Sequence, residues 1–190
     1  MKKKLGLLML VGLLMLLLVA CGSGSGDGNV VEIDVEGFGV ITLELYREYA
    51  PITVENFVNL VNDGFYDGLT FHRIIEGFMI QGGCNFGTGM GGSDEMIVGE
   101  FASNGIENPI SHVRGVISMA RAMDPNSGSS QFFIMHEDGA FLDGEYAAFG
   151  RVTSGLEVVD AIVANTVNDG PNGSVAFQDQ PVINSIRVVD

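Results

Sequence analysis

From Val31 onward the apolar residues come in short runs of alternating polarity, and this pattern limits the fold more than any other feature. Val31, Ile33 and Val35 alternate with Glu32, Asp34 and Glu36, and then Ile41, Leu43 and Leu45 alternate with Thr42 and Glu44. Successive side chains of a strand face opposite sides, so each run describes a half-buried strand, with Gly37-Phe38-Gly39 as the turn of a hairpin. Further strand-like runs cover 73–80, 115–120, 131–135, 147–152 and 182–189, separated by glycine-rich connections such as 82–92. Two stretches have helical spacing instead. Pro51 introduces the first, with Val54, Phe57, Val58 and Val61 at i, i+3, i+4 and i+7 and Gly64 as a stop signal. Ser154 and Glu157 read as a capping box for the second, with Leu156, Val159, Ile162 and Val163 on one face. Many short strands, two helices and no internal repeat predict a mainly β fold. The expected form is a closed antiparallel barrel plugged at its ends, not a parallel α/β sheet.

The N-terminus is of another kind. Lys2, Lys3 and Lys4 form a positive flank, and residues 5–20 are uncharged and Leu-rich. This run is shorter than the about 20 apolar residues of a membrane-spanning helix and fits a secretory signal. It ends in Leu18-Val19-Ala20-Cys21, which resembles the lipobox of bacterial lipoproteins, cut before a cysteine that then carries the lipid. Residues 22–29 form a Gly/Ser-rich tether. The reading is therefore a signal peptide over 1–20, lipidated Cys21 with its linker over 21–29, and one folded domain over 30–190. All three lysines leave with the signal, so six arginines face 24 acids, and 6 − 24 gives −18. That charge repels nucleic acid and anionic headgroups, so membrane contact is expected through the lipid alone, on the extracytoplasmic face. With Cys21 lipidated, Cys84 has no disulfide partner and reads as a small buried hydrophobe.

Three segments carry the chemistry. The first is Phe71-His72-Arg73-Ile74-Ile75-Glu76-Gly77-Phe78-Met79-Ile80-Gln81-Gly82-Gly83. Strand parity puts Arg73, Met79 and Gln81 on one surface. The second runs from Gly115-Val116-Ile117-Ser118-Met119-Ala120-Arg121 to Ser129-Ser130-Gln131-Phe132-Phe133-Ile134, and the third is Phe141-Leu142-Asp143-Gly144-Glu145-Tyr146-Ala147-Ala148-Phe149-Gly150. Singly, Arg73 reads as a solvated charge and Phe78 and Met79 as core. Together, in this order and spacing, the segments resemble the cyclophilin family over essentially the whole of 30–190.

That resemblance implies a closed eight-stranded antiparallel barrel with two capping helices and a shallow groove for X-Pro peptides. It implies that Arg73 is the catalytic arginine and Gln81 the glutamine beside it. Phe78, Met79, Phe133 and Leu142 match the walls of a proline pocket. Ala120, Arg121 and Gln131 match positions that hold the peptide backbone, residue 121 through its main chain, and Phe141 and Tyr146 match the rim. The chain departs from the family in three places. Phe141 stands where many relatives carry a tryptophan that grips cyclosporin, Tyr146 replaces a histidine, and Cys84 replaces an acid.

The residue types suit the implied reaction. An amide resists rotation by about 18–20 kcal/mol because the nitrogen lone pair is delocalised. No substrate bond breaks, so no cofactor, metal or nucleophile is needed. A donor aimed at the prolyl nitrogen stabilises the lone pair that localises as the amide twists, and arginine, always protonated, supplies one. The expected function is thus a monomeric peptidyl-prolyl cis/trans isomerase assisting the folding of extracytoplasmic, proline-containing polypeptides. The rival is a proline-peptide-binding module or holdase without turnover. His72, His112 and His136 lack metal-ligand spacing and no G-x-S-x-G elbow occurs. Asp124-Pro125-Asn126-Ser127-Gly128 opens like a calcium loop, but its twelfth position is Met135, so it reads as a turn.

Overall fold

The computed structural model of the chain describes residues 29–168 and 170–189. The expected signal peptide, Cys21 and most of the linker lie outside the described residues. The hairpin forms where alternation and glycine placed it: β1 (Val30–Val35) pairs antiparallel with β2 (Gly39–Leu45), Val35 opposite Gly39. Next comes α1 (Pro51–Asn62), with proline in its first turn, where the missing N–H costs nothing. Val54, Phe57 and Val61 are buried.

The expected single strand over 73–80 is two strands. β3 (Phe71–Ile75) and β4 (Met79–Gly82) form a hairpin, because the chain turns through Glu76-Gly77-Phe78 with Gly77 at a φ of 72°. The shared surface of Arg73, Met79 and Gln81 nevertheless exists. The register pairs Arg73 with Gln81 and Ile75 with Met79, and directly opposed residues of an antiparallel pair face the same side. β5 (Val116–Met119), β6 (Phe132–Met135) and β7 (Ala148–Ser154) follow, then α2 (Leu156–Asn165) and β8 (Ile183–Val188).

The capping box expected for α2 is absent. Ser154 ends β7, the N-cap is Gly155, and no side chain caps the helix. Gly155 has a φ of 87°, and a Cβ there would lie 2.3 Å from the Val40 carbonyl oxygen. The tight strand-to-helix turn thus requires glycine and leaves no room for a serine cap. The cap of α1, by contrast, comes from far away. Glu100 accepts from the Ile52 and Thr53 N–H groups at 3.0 and 2.8 Å and from the Thr53 hydroxyl at 2.7 Å. A carboxylate there answers both the orphaned amides and the positive end of the helix dipole.

The strands form one curled antiparallel sheet in the order β3-β4-β6-β5-β7-β2-β1-β8. The eight strands are as expected, but closure is looser than expected and the sheet is a half-barrel. Its end strands meet only at a short seam, where Gly68 N donates to Ile183 O, Ile183 N to Leu69 O and Phe71 N to Pro181 O. Pro181 has no N–H to extend the ladder. Further along, the edge of β3 is already taken: Val175 N donates to His72 O, and Arg73 bridges Ser174.

The sheet is buried on both faces in its centre, where every residue of β5 and β6 is buried. Phe57 of α1 fills the inner face, its ring 5.2 to 5.6 Å from Tyr66, Phe132 and Phe149. Alternate residues build a second, outer cluster of Met79, Val116, Phe133, Met135, Leu142 and Ala148. Every candidate groove position lies on or beside that outer cluster.

Candidate active site

Ten of the expected groove residues line one cavity of about 260 Å³: Arg73, Phe78, Met79, Gln81, Ala120, Arg121, Phe133, Phe141, Leu142 and Tyr146. The eleventh, Gln131, borders an adjoining cavity of about 430 Å³ that shares Gln81, Ala120 and Arg121 with the first. The pocket floor is apolar and buried, with Met79, Phe133 and Leu142 each at most 7% exposed. Its rim is open. Phe141 is 72% exposed and leans on Phe78 with ring centroids 5.4 Å apart, and Tyr146 meets Phe133 edge-on at 5.7 Å.

Arg73 enters this pocket held at two of its nitrogens. Nη1 donates to Gln81 Oε1 at 3.1 Å and touches Met79 Sδ at 3.8 Å, while Nε donates to the Asn172 carbonyl at 2.9 Å. The two N–H groups of Nη2 have no acceptor among the described residues. Burial draws the guanidinium pKa below its ordinary value, with Tyr146 acting the other way. It remains a cation, since an arginine does not deprotonate in proteins.

The polarity of Gln81 is set from further back. Gln131 Nε2 donates to the Gly89 and Gly91 carbonyls at 2.9 and 2.6 Å, and carbonyls can only accept, so the amino end of Gln131 must face them. Its oxygen then turns to Gln81 and accepts from Nε2 at 3.0 Å, which leaves Gln81 Oε1 for Arg73. The double glycine permits this approach. A Cβ on Gly83, where φ is 81°, would lie 2.4 Å from the Ser130 carbonyl oxygen. The loop beyond it winds around Cys84, whose sulfur accepts from Gly91 N at 3.3 Å. Burial pushes that thiol up, and the amides of Gly91, Phe86, Thr88 and Gly89 more than offset this, leaving its pKa below the ordinary value. Cys84 is buried, as expected, but it is an acceptor as well as a hydrophobe.

The side chain of Arg121 is occupied. It stacks between Phe101 at 5.1 Å and Tyr146 at 4.7 Å, and donates through Nε and Nη2 to the Glu145 carbonyl at 3.0 and 2.9 Å. Its guanidinium is thus engaged within the fold.

Two features escaped the sequence reading. Asn172, which holds Arg73 Nε, is nearly a hundred positions away and carries no motif. A Ser-His-Asp set also exists, with His112 Nε2 3.0 Å from Ser118 Oγ and Nδ1 2.9 Å from Asp143 Oδ1. Ser118 and His112 are buried, so this is an internal bracket and not an exposed nucleophile. The His112 ring stacks on Phe133 with centroids 6.0 Å apart, and Asp143 follows Leu142, so the bracket backs two walls of the pocket. Its members are too scattered in sequence to suggest one another.

The family described as cyclophilin type peptidyl-prolyl cis-trans isomerase/CLD matches residues 30–189. Peptidyl-prolyl cis-trans isomerase B of Bacillus subtilis is 54% identical over 117 residues, which span 62% of this chain and 78% of that protein. Peptidyl-prolyl cis-trans isomerase A of Dickeya dadantii is 43% identical over 157 residues, 80% of each chain. Among solved structures, a cyclophilin type isomerase of Cryptosporidium parvum, crystallised in the presence of the dipeptide Ala-Pro, superposes with a TM-score of 0.73. It is 30% identical and the match covers 85% of this chain and 99% of that one.

Proposed function

The chain belongs to the cyclophilin-type peptidyl-prolyl cis-trans isomerases, and from that premise we propose that Arg73 delivers the catalytic donor, with Gln81 orienting it. The protein accelerates rotation about X-Pro bonds. In the proposed mechanism the proline ring seats against Phe78, Met79, Phe133 and Leu142, and the amide preceding it stays free to turn at the open rim. As the amide twists, its nitrogen pyramidalises and gains a lone pair. Nη2 of Arg73 donates to that lone pair, a contact absent from the planar ground state, so it lowers the barrier rather than merely tightening binding. Gln131 and the main chain of Ala120 and Arg121 hold the peptide, and Phe141 and Tyr146 border it. The supporting observation is an arginine fixed at Nε and Nη1, with Nη2 left unmatched among the described residues, beside an apolar pocket.

Arg73→Ala is expected to lower kcat/KM for an X-Pro peptide by about 10²–10³, the effect of removing one preorganised donor. Arg73→Lys should recover little, because an ammonium cannot make the forked contacts. Full activity in the alanine variant would remove Arg73 from the mechanism.

We further propose that this domain, residues 30–190, works outside the cytoplasm as a monomer on a lipid anchor at Cys21, after a signal peptide over 1–20 and joined through the Gly/Ser-rich segment 21–29. The lipobox-like Leu18-Val19-Ala20-Cys21 and the strongly acidic remainder support this reading. Cys21→Ala should abolish palmitate labelling and leave unprocessed precursor; normal cleavage with labelling would count against the anchor.

A further inference from the structure

The segment 170–175 covers the outer edge of β3 as a strap. Val175 N donates to His72 O at 3.0 Å, Ser174 bridges Arg73 through the backbone, and Asn168 Nδ2, just ahead of the strap, donates to Ile74 O at 2.7 Å. Gly173 seats closest. A Cβ there would lie 2.4 Å from Ile75 Cγ1 and 2.6 Å from the Ile74 carbonyl oxygen. Between these anchors stands Asn172, with a φ of 58°, the one positive value at a non-glycine position among the described residues. Asparagine enters the left-handed region more readily than most residues, and a β-branched residue strongly avoids it. This backbone turn points the Asn172 carbonyl at Arg73 Nε, 2.9 Å away.

Nε is the pivot of the guanidinium. Gln81 alone leaves the plane free to swing about its Nη1 contact, whereas a second bond at Nε fixes which way Nη2 points. We infer that Asn172 is a positioning residue for the isomerase reaction: its left-handed backbone holds Arg73 by Nε so that Nη2 presents to the groove. This rests on the catalytic reading of Arg73 given above.

The test compares Asn172→Gly, which keeps the left-handed turn and its carbonyl, with Asn172→Val, which disfavours both. In the full chain, the valine variant should lose about five- to tenfold in kcat, the size of one net hydrogen bond, with KM within about twofold. The glycine variant should stay within about twofold of the parent in kcat. The Arg73 Nε–H signal, followed by ¹⁵N NMR, should hold its position in the glycine variant and shift, with faster exchange, in the valine variant. A valine variant whose Nε–H signal moves while kcat is unchanged overturns the inference. So does equal loss in both variants that tracks a lowered Tm, which would make the strap structural only. Arg73→Ala is assayed alongside: if it is fully active, the catalytic reading fails, whereas an inactive Arg73→Ala beside an active Asn172→Val sinks the positioning role alone.

Discussion

Acid should weaken this fold chiefly through the His72 imidazole. The His72 side chain is only 4% exposed and neither ring nitrogen has a hydrogen-bond partner among the described residues. Burial first, and the charge of Arg73 second, push its pKa from 6.5 to about 4, against a weaker opposite pull from Gln131. The unfolded chain therefore takes up this proton first as pH falls. The neutral ring's contribution is fully present above about pH 6.5, declines through the interval, and is gone below about pH 4. The gap corresponds to about 3 kcal/mol, since each pH unit of difference is worth about 1.4 kcal/mol. His112, also held low by burial, adds in the same direction, so the variant is needed to isolate His72. His72→Phe retains the ring and cannot titrate. Urea midpoints at pH 7.0, 6.0, 5.0 and 4.5 should fall steeply in the parent and much less in the variant. The variant should be no less stable at pH 7, because two orphaned ring nitrogens are gone. Parallel pH curves for the two proteins would refute the assignment.

Two other perturbations follow from the geometry. Glu100→Ala strips three donors at the start of α1 of their acceptor and should cost about 3 kcal/mol. For a domain of this size that is a Tm loss of roughly 6–12 °C, and a loss below about 2 °C would mean the cap is replaceable. Phe141→Trp enlarges an exposed rim ring already leaning on Phe78 and adds an N–H, so cyclosporin inhibition should tighten by about three- to tenfold. An unchanged inhibition constant would show that the rim ring is not what limits the drug.

Much of the site was legible in the residues because its motifs are local. Strand parity groups Arg73, Met79 and Gln81 on one surface, and the structure does the same although 73–80 is two strands. A hairpin whose register pairs odd positions with odd gives the same grouping, so parity survived the missed turn. The cap of α2 was misread for the opposite reason. Ser154 and Glu157 have the right spacing, but the deciding contact is the approach of Gly155 to Val40, far away in sequence.

By itself the sequence determined what depends on near neighbours. Alternation gave the first hairpin, 3.6-residue spacing with Pro51 gave α1, and short strand-like runs located β5 and β6, whose burial on both faces only the fold shows. Only the tertiary structure decided how Arg73 is aimed, how Gln131 and Gln81 acquire their polarity, what caps α1, and why β3 and β8 meet at a seam rather than a full ladder. Each depends on a backbone carbonyl or carboxylate brought in from a distant segment: Asn172, Gly89 and Gly91, Glu100, and the strap over β3. A backbone carbonyl is present at every residue. Its direction is set by the folded path of the chain and not by the identity of the side chain it belongs to, so no local pattern announces it.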